Sequence, residues 1–380
     1  MSTQSATSDL GSHSANTAAA QSGAPALTYP AVSVLDLVPV RSGQTSAEAV
    51  RASLDLVRLA DALGFRRYWF AEHHNMPAVA ASTPPVMIAA AATITERIRV
   101  GSGGVMLPNH APLVVAEQFA ALEAIAPGRI DLGIGRAPGS DPVITALLRA
   151  TGPTADVDRF PQHVRDILAL VDRDGAALEL RNGQTYEVRA TPAAATVPEL
   201  WLLGSSDYSA RLAAQLGLPY VFANHFAGAG LEQAMAIYRG EFQPGVIDSP
   251  HTFVTTNVVV ADTVEEAQAR ALPQLRQMAR IRTGLPLTPI ETVEQAQNTP
   301  MPSRAEALID AMRGAWIIDA PTGAAERIRD LARTADVDEV MVVPVAGSRV
   351  GEPVTETPGR VRTLELLHQA LSTAATPATV

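Results

Sequence analysis

The sequence predicts an α/β protein of the (β/α)8 TIM-barrel class with insertions, and two observations carry this prediction. Short apolar runs that end in polar residues alternate with longer segments of helical periodicity between residues 31 and 345. The apolar runs are continuous rather than alternating, which is typical of parallel strands covered by helices. Eight such runs match the strand number of an eight-fold barrel. An open doubly wound sheet is the alternative, but Pro138 stands where its G-x-G-x-x-G loop needs a third glycine.

The predicted elements follow one another in a regular order. The eight predicted strands are residues 31–40, 66–73, 98–107, 130–136, 200–203, 220–223, 253–260 and 339–345. The first helix is predicted from a capping-box pattern, Thr45 to Glu48, and from Gly64 at its C-terminal end. Further helices are predicted over 84–96, 113–126, 209–216, 231–242, 264–282, 304–312 and 324–333.

Two segments interrupt this alternation and are predicted to be insertions. Residues 151–198 contain a helical stretch, 160–172, and a β-hairpin over 178–188 with Asn182-Gly183 at its turn. Residues 283–303 are rich in Pro, Thr and Gln, and we expect a mobile loop there that serves as a lid over the site.

Length and composition predict one barrel domain over residues 29–375. Residues 1–28 are Ser, Ala, Thr, Gly and Gln without a charged n-region, so we expect a disordered tail rather than a signal peptide. No stretch of about 18 apolar residues predicts a membrane span, and a cytoplasmic enzyme is the default expectation. The net charge of -10, without a basic run, argues against nucleic-acid binding.

The absence of two residue types excludes several chemistries. The chain has no Cys, which excludes thiolate catalysis and Cys-ligated metal. Every basic residue apart from His is Arg, which excludes a lysine Schiff base and a Walker-type lysine.

Polar side chains concentrate at the predicted strand ends. They are Asp36, Glu72, His73, His74, Ser102, Asn109, His110, Arg136, Ser205, Ser206, Asn224 and His225. Because the carboxyl ends of barrel strands share one face, these residues predict a single site. Metal binding by Glu72 and the histidines is not expected, because adjacent strand residues point in opposite directions.

Two further patterns predict the kind of ligand. Ser205 and Ser206 stand between a strand and a helix, where backbone N–H groups and hydroxyls form an anion site, and Arg136 can add a charge. The alternative is that Ser206 merely caps the helix. The glycine-rich strand 98–107 leaves room for a flat ligand. Together these features favour a phosphorylated planar cofactor.

Several motifs, taken in order, resemble the bacterial luciferase-like flavin-dependent monooxygenases over nearly all of residues 30–345. They are Ser33–Leu37, Trp69-Phe-Ala-Glu-His-His74, Val100–His110, Ala116-Glu-Gln-Phe119, Pro127–Arg136 and Ala214–Pro219. The sequence departs from luciferase itself, with Ser205 where luciferase has an acidic residue and Gly135 where it has a cysteine. It is more similar to the non-luminescent members.

The resemblance implies an FMN site at the strand ends. His73 matches the catalytic histidine that faces the flavin, and Gly103-Gly104 matches a non-prolyl cis peptide beside the flavin ring. Arg136, Ser205, Ser206 and Ser209 match residues that contact the phosphate. The implied partners are a separate flavin reductase that supplies reduced FMN, O2 and a small organic substrate; a homodimer is also allowed.

The implied reaction is oxygenation of the substrate through a flavin C4a-(hydro)peroxide. His73 is the candidate for handling a proton, and the alternative is a structural histidine bonded to Glu72. His110 and His225 are candidates for the substrate side, and Asp36 is expected to be a buried structural acid. Two other functions stay open: deazaflavin-dependent hydride transfer on the same fold, and non-catalytic flavin binding.

Overall fold

A computed structural model describes residues 30–149, 157–227 and 230–373, and the predicted tail 1–28 lies outside them. The described strands are β1 (Ala31–Asp36), β2 (Arg67–Phe70), β3 (Arg99–Met106), β4 (Ile130–Gly135), β5 (Ala176–Glu179), β6 (Thr185–Val188), β7 (Glu199–Gly204), β8 (Tyr220–Phe222), β9 (Thr252–Val260), β10 (Ile317–Asp319) and β11 (Glu339–Pro344).

The described helices surround these strands. They are α1 (Ser46–Ala62), α2 (Pro84–Ala92), α3 (Pro112–Ile125), α4 (Pro142–Arg149), α5 (Phe160–Val171), α6 (Asp207–Leu216), α7 (Asn224–Ala227), α8 (Leu231–Gly240), α9 (Val264–Thr283), α10 (Val293–Asn298), α11 (Ser303–Ala315), α12 (Pro321–Ala335) and α13 (Pro358–Thr373). Thr45 and Glu48 form the predicted capping box at the start of α1.

The predicted barrel is confirmed. Eight strands pair in parallel in the order β1, β2, β3, β4, β7, β8, β9, β11, and β11 pairs with β1 to close the cylinder. Large apolar side chains fill its interior. They are Leu35, Trp69, Trp201, Val221, Phe253, Met341 and Val343. A second apolar layer between strands and helices buries the outward-facing strand residues, which explains the continuous apolar runs.

Buried charges occupy the end of the barrel at which the strands begin. The Arg67 guanidinium lies 3.1 Å from Asp131 and 3.0 Å from Glu339, and it stands 4.6 Å from the centroid of the Trp201 ring. The Trp69 indole donates to Asp131 at 2.8 Å. This end is therefore filled with paired side chains, and the site must lie at the opposite face.

The 151–198 segment has two parts. α5 packs against α3 and contributes Phe160, Val164 and Ile167 to the layer around the barrel. β5 and β6 form the predicted antiparallel hairpin outside it, largely exposed.

The prediction of a loop over 283–303 is wrong for residues 293–298, which form α10. Thr292 and Gln295 form a capping box there, a local signal that the Pro/Thr/Gln composition concealed. The Glu291 carboxylate, 2.6 Å from Arg276, ties the segment to α9. No described residue of 283–303 lines the largest cavity at the strand ends, but Ile290 lines a smaller cavity beside it, and the lid stays a prediction.

Five of the described elements were not predicted from the sequence: α4, α7, α10, α13 and β10. Ile317–Asp319 is too short to show a strand pattern, and it pairs with only the last three residues of β9. α13 follows the last barrel strand and packs on α12 and α1. Its Arg360 reaches back to the strand ends, where it forms part of the site described next.

Candidate active site

A cavity of about 700 Å³ opens at the carboxyl ends of the barrel strands. We call it the mouth cavity. All but one of the residues predicted to act in catalysis or to contact cofactor or substrate line it: His73, Gly103, Gly104, Arg136, Ser205, Ser206, Ser209 and His225. Of the twelve polar residues predicted to share one site at the strand ends, seven do not line the cavity: Asp36, Glu72, His74, Ser102, Asn109, His110 and Asn224. Apolar side chains make up much of the remaining wall. They include Leu35, Leu37, Trp69, Met106, Phe160, Val221, Phe226 and Met341.

The floor of the cavity is bare backbone at Gly103 and Gly104, which are joined by a cis peptide bond. A Cβ on Gly104 would lie 2.8 Å from the Gly133 carbonyl oxygen, and a Cβ on Gly103 would lie 2.5 Å from Leu35 Cδ1. Neither position has room for a side chain because the neighbouring strands pack directly against it. Both glycines line the cavity, in the strand where the sequence predicted room for a flat ligand.

At one end of the cavity, the N-terminus of a helix lies beside an arginine side chain. α6 begins here, and Ser206 occupies its N-cap position with extended backbone angles (φ -143°, ψ 160°). Its hydroxyl makes no capping hydrogen bond, so the first N–H groups of α6 have no side-chain cap. The Arg136 guanidinium lies 3.9 Å from the Tyr208 ring centroid, beside this helix end. Positive charge and helix dipole thus act together.

His73 stands on another wall of the cavity, immediately after β2. Its backbone N–H donates to the Ala81 carbonyl at 2.9 Å, which fixes the chain. Its Nδ1 is buried and has no hydrogen-bond partner among the described residues. Burial lowers the pKa of His73, although the Gly139 carbonyl and the Glu72 charge oppose the shift. The imidazole is therefore neutral near pH 7 and has an unused nitrogen.

The carboxylate of Glu72 turns to other histidines. It accepts hydrogen bonds from His74 Nε2 at 2.9 Å, from His110 Nε2 at 2.8 Å and from the Met106 N–H at 3.0 Å. Burial alone would raise the pKa of Glu72, but the bonds from His110 and His74 lower it to about 2. The structure therefore does not contain the alternative hydrogen bond between His73 and Glu72.

The assignment of His110 to the substrate side is corrected. Its Nε2 is taken up by Glu72, and His110 is not among the described residues that line the mouth cavity. His110 follows the 3-10 turn at Leu107–Asn109. Glu72 and His110 instead connect the ends of β2 and β3 and support the loop that carries His73.

His225 does line the cavity, opposite the glycine floor. Its Nδ1 lies 2.6 Å from Thr255 Oγ1, and its ring centroid is 4.4 Å from that of Phe226. Burial, together with the nearby His73, lowers the pKa of His225 to about 3. Phe226 also approaches His73, with ring centroids 6.1 Å apart, so the three rings form one wall.

Asp36 lies below this wall, at the end of β1. It is fully buried, accepts from Tyr68 and from the Val38 N–H at 2.7 Å, and pairs with Arg360 at 2.6 Å. All of its contacts are internal, which agrees with the predicted structural role.

Several lining residues were not predicted from the sequence: Arg149, Tyr208, Phe226 and Thr255. Thr255 carried a usable signal, because Thr255-Thr256-Asn257 interrupts an otherwise apolar strand. No sequence signal pointed to Arg149, because its helix, α4, was itself not predicted. Within 30–149, 157–227 and 230–373, no three acidic or histidine side chains are placed to hold a metal ion, and no helix is long and apolar enough to cross a membrane.

The barrel fold and a cavity at the carboxyl ends of its strands are the features of an enzyme of the TIM-barrel class, and comparisons with known proteins give the family. The luciferase-like monooxygenase family model matches residues 31–338. A luciferase-like monooxygenase of Escherichia coli strain K12 is 41% identical over 317 residues, covering 82% of this chain and 90% of the relative. The chain belongs to the luciferase-like monooxygenase family.

Solved structures share the fold. The crystal structure of apo-MsnO8 has a TM-score of 0.78 at 32% identity and covers 90% of this chain and 98% of its own. A type II Baeyer–Villiger monooxygenase from Pseudomonas putida, in complex with FMN, has a TM-score of 0.65 at 18% identity, with coverage of 90% and 98%. An F420-dependent secondary alcohol dehydrogenase has a TM-score of 0.60 at 14% identity, with coverage of 90% and 99%. At these last two identities the likeness concerns the fold alone.

Proposed function

We propose that this protein is the oxygenating component of a two-component FMN-dependent monooxygenase. It would take reduced FMN from a separate flavin reductase and use O2 to oxygenate a small organic substrate. One observation carries the proposal: the mouth cavity combines an anion end at α6, a bare glycine floor and a histidine with a buried, unpartnered nitrogen.

The residues present fit a phosphorylated flat ring. Arg136, Ser205, Ser206 and the start of α6 would hold a phosphate, and Gly103-Gly104 would support the ring. The unpartnered His73 Nδ1 also favours a bound ligand, because a buried polar atom without a partner costs about 1–3 kcal/mol. A bound reduced flavin would supply two electrons and a means of activating O2.

The protein's own residues would perform the remaining tasks. His73, neutral by burial, would accept or return one proton at its imidazole. The apolar wall of Leu37, Phe226 and Met341 would exclude water and contact the organic substrate. No carboxylate stands among the described lining residues, so a cationic substrate would find no counter-charge.

The test is a titration of the protein with oxidised FMN, reduced FMN and deazaflavin, followed by oxygen uptake with FMN, NADH and a generic flavin reductase. The proposal expects tight binding of reduced FMN and oxygen consumption that depends on the protein. Preferential binding of deazaflavin, with no oxygen uptake, would instead establish the hydride-transfer alternative. Tight FMN binding with no turnover of any offered substrate would favour a flavin-binding protein.

A further inference from the structure

His225 is held rigidly by two side chains of β9. Its backbone N–H and its Nδ1 both face Thr255 Oγ1, at 3.4 and 2.6 Å. The Asn257 amide donates to the His225 carbonyl at 3.1 Å. The Arg282 guanidinium donates to the next carbonyl, that of Phe226, at 2.7 Å. The orientation of the imidazole is therefore set by the barrel and by α9.

The partners of Thr255 decide which nitrogen of His225 carries the proton. The hydroxyl has one hydrogen, and its Oγ1 also lies 3.2 Å from the Phe222 carbonyl oxygen, which can only accept. That carbonyl takes the hydroxyl hydrogen, so Oγ1 must act as acceptor towards His225. Nδ1 is then the N–H donor, and Nε2 of the neutral ring keeps a lone pair.

Nε2 is the ring nitrogen left to face the cavities that His225 lines, the mouth cavity and a smaller one beside it. It makes no hydrogen bond to a described residue and is not among the buried unpartnered atoms, while His225 lines the cavity. Its surroundings are apolar, with Leu37, Val221 and Phe226 in the same wall. Burial and the nearby His73 lower the pKa of His225 to about 3, so the lone pair stays available near neutral pH.

We propose that His225 is the specificity-determining hydrogen-bond acceptor of the mouth cavity, and that its bare Nε2 selects apolar ligands carrying one neutral O–H or N–H donor. None of the described lining residues supplies a carboxylate for a charged donor such as an ammonium group. The inference rests on the proposed function in one respect: it takes the selected ligand to be the substrate of the monooxygenase, bound in this same cavity.

The tautomer is tested directly on the wild-type protein. The protein is labelled with ¹⁵N at its histidine nitrogens, and two-bond ¹H–¹⁵N spectra are recorded. The His225 signals are assigned by their absence in His225→Gln. They should show a protonated Nδ1 and an unprotonated Nε2. Thr255→Val removes the hydroxyl that accepts the hydrogen bond from Nδ1, so the tautomer protonated at Nε2 should become populated. The matched control is Thr256→Val, the adjacent buried threonine, which should leave the tautomer unchanged. An Nε2–H ring in the wild type would overturn the proposal.

Selectivity is tested with matched probes, indole against 1-methylindole and phenol against anisole. The donor member should bind about twofold to tenfold more tightly than its methylated partner, the worth of one neutral hydrogen bond. This preference should vanish in His225→Phe and weaken in Thr255→Val. Equal affinity within both pairs in the wild type would overturn the assignment.

The two proposals fail separately. Binding is followed by isothermal titration calorimetry on the protein alone, which also serves the His225→Phe variant, and by flavin absorbance on FMN-loaded protein. If FMN does not bind but the donor preference and the tautomer are as expected, the proposed function fails and the role of His225 stands. If FMN binds and supports oxygen uptake but the donor preference is absent, only the role of His225 fails.

Discussion

The Glu72 carboxylate accepts a hydrogen bond from His110 Nε2 at 2.8 Å, a contact that joins residues at the ends of two adjacent barrel strands. It leaves His73, the residue next to Glu72 in sequence, free to face the mouth cavity. The acid thus supports the loops around the site, while His73, which lies between Glu72 and His74 in sequence, lines the cavity.

This contact predicts an acid-dependent loss of stability. The pKa of Glu72 is lowered to about 2 in the folded protein, below the ordinary glutamate value of 4.5, so the unfolded chain binds the proton first. The stabilisation is full above about pH 4.5 and is lost as the pH falls towards 2. Its size is on the order of 3 kcal/mol.

Denaturant unfolding of wild type and Glu72→Gln between pH 3 and pH 7 measures this effect. Wild type should exceed the variant by the largest margin at pH 7, and the margin should shrink as the pH falls. A margin that stays constant over this range would contradict the assignment.

His73→Ala is predicted to uncouple oxygen consumption from product formation. FMN binding should change little, because the phosphate end lies elsewhere, while product yield should fall about 100-fold or more with hydrogen peroxide released instead. Single-turnover mixing of reduced, FMN-loaded protein with O2 measures both products. His74→Ala is the matched control, since His74 bonds to Glu72 and does not line the cavity. Unchanged product yield in His73→Ala would remove His73 from the mechanism.

Arg136→Ala is predicted to weaken FMN but not riboflavin. A charge-assisted bond to phosphate contributes about 1.5–3 kcal/mol, so the Kd for FMN should rise roughly 10-fold to 150-fold. Riboflavin has no phosphate and should bind as it does to wild type. Arg211→Ala, on α6 but paired with Glu241, is the control. An equal loss for both ligands would show that Arg136 supports the fold rather than the phosphate.

The two floor glycines are predicted to differ in their tolerance of a methyl group. In Gly104→Ala the new Cβ meets the backbone of Gly133, which cannot move without distorting β4, whereas in Gly103→Ala it meets the end of the Leu35 side chain. Gly104→Ala should therefore lose about 2–3 kcal/mol or more of unfolding free energy, and Gly103→Ala less. Gly314→Ala, in open space on α11, should lose none. Equal losses at 103 and 104 would contradict this ranking.

We propose that the protein is a homodimer that uses the outer face of α2 and α3. These helices pack together and expose Val86, Leu113 and Val114 at 65%, 42% and 49%, more apolar surface than isolated residues present. Sedimentation velocity should show a dimer that Val86→Glu with Val114→Glu converts to a monomer. Val350→Glu, equally exposed on another surface, should leave the dimer intact. A wild-type monomer at micromolar concentration would end this proposal.

Much of the fold could be predicted because its signals are local. Continuous apolar runs such as Val340–Val343 must be buried on both faces, and the Thr45–Glu48 capping box starts a helix whatever surrounds it. β10 and α10 were missed because three and six residues are too few to show periodicity. For α10, the Pro/Thr/Gln composition of the segment predicted a loop, although the capping box at Thr292 indicated the start of a helix.

The sequence by itself determined the barrel, the face that carries the site, and the residues Gly103, Arg136 and His73 on that face. The barrel and the placement of Arg136 and His73 follow from strand periodicity and from the rule that polar residues gather at strand ends, whereas Gly103 follows from the resemblance to the luciferase-like family. Only the tertiary structure decided that Glu72 bonds to His110, that Thr255 orients His225, and that Ser206 leaves the helix end uncapped. The reason is physical: each of these contacts depends on side-chain directions set where loops from distant parts of the chain meet, and no local pattern encodes them.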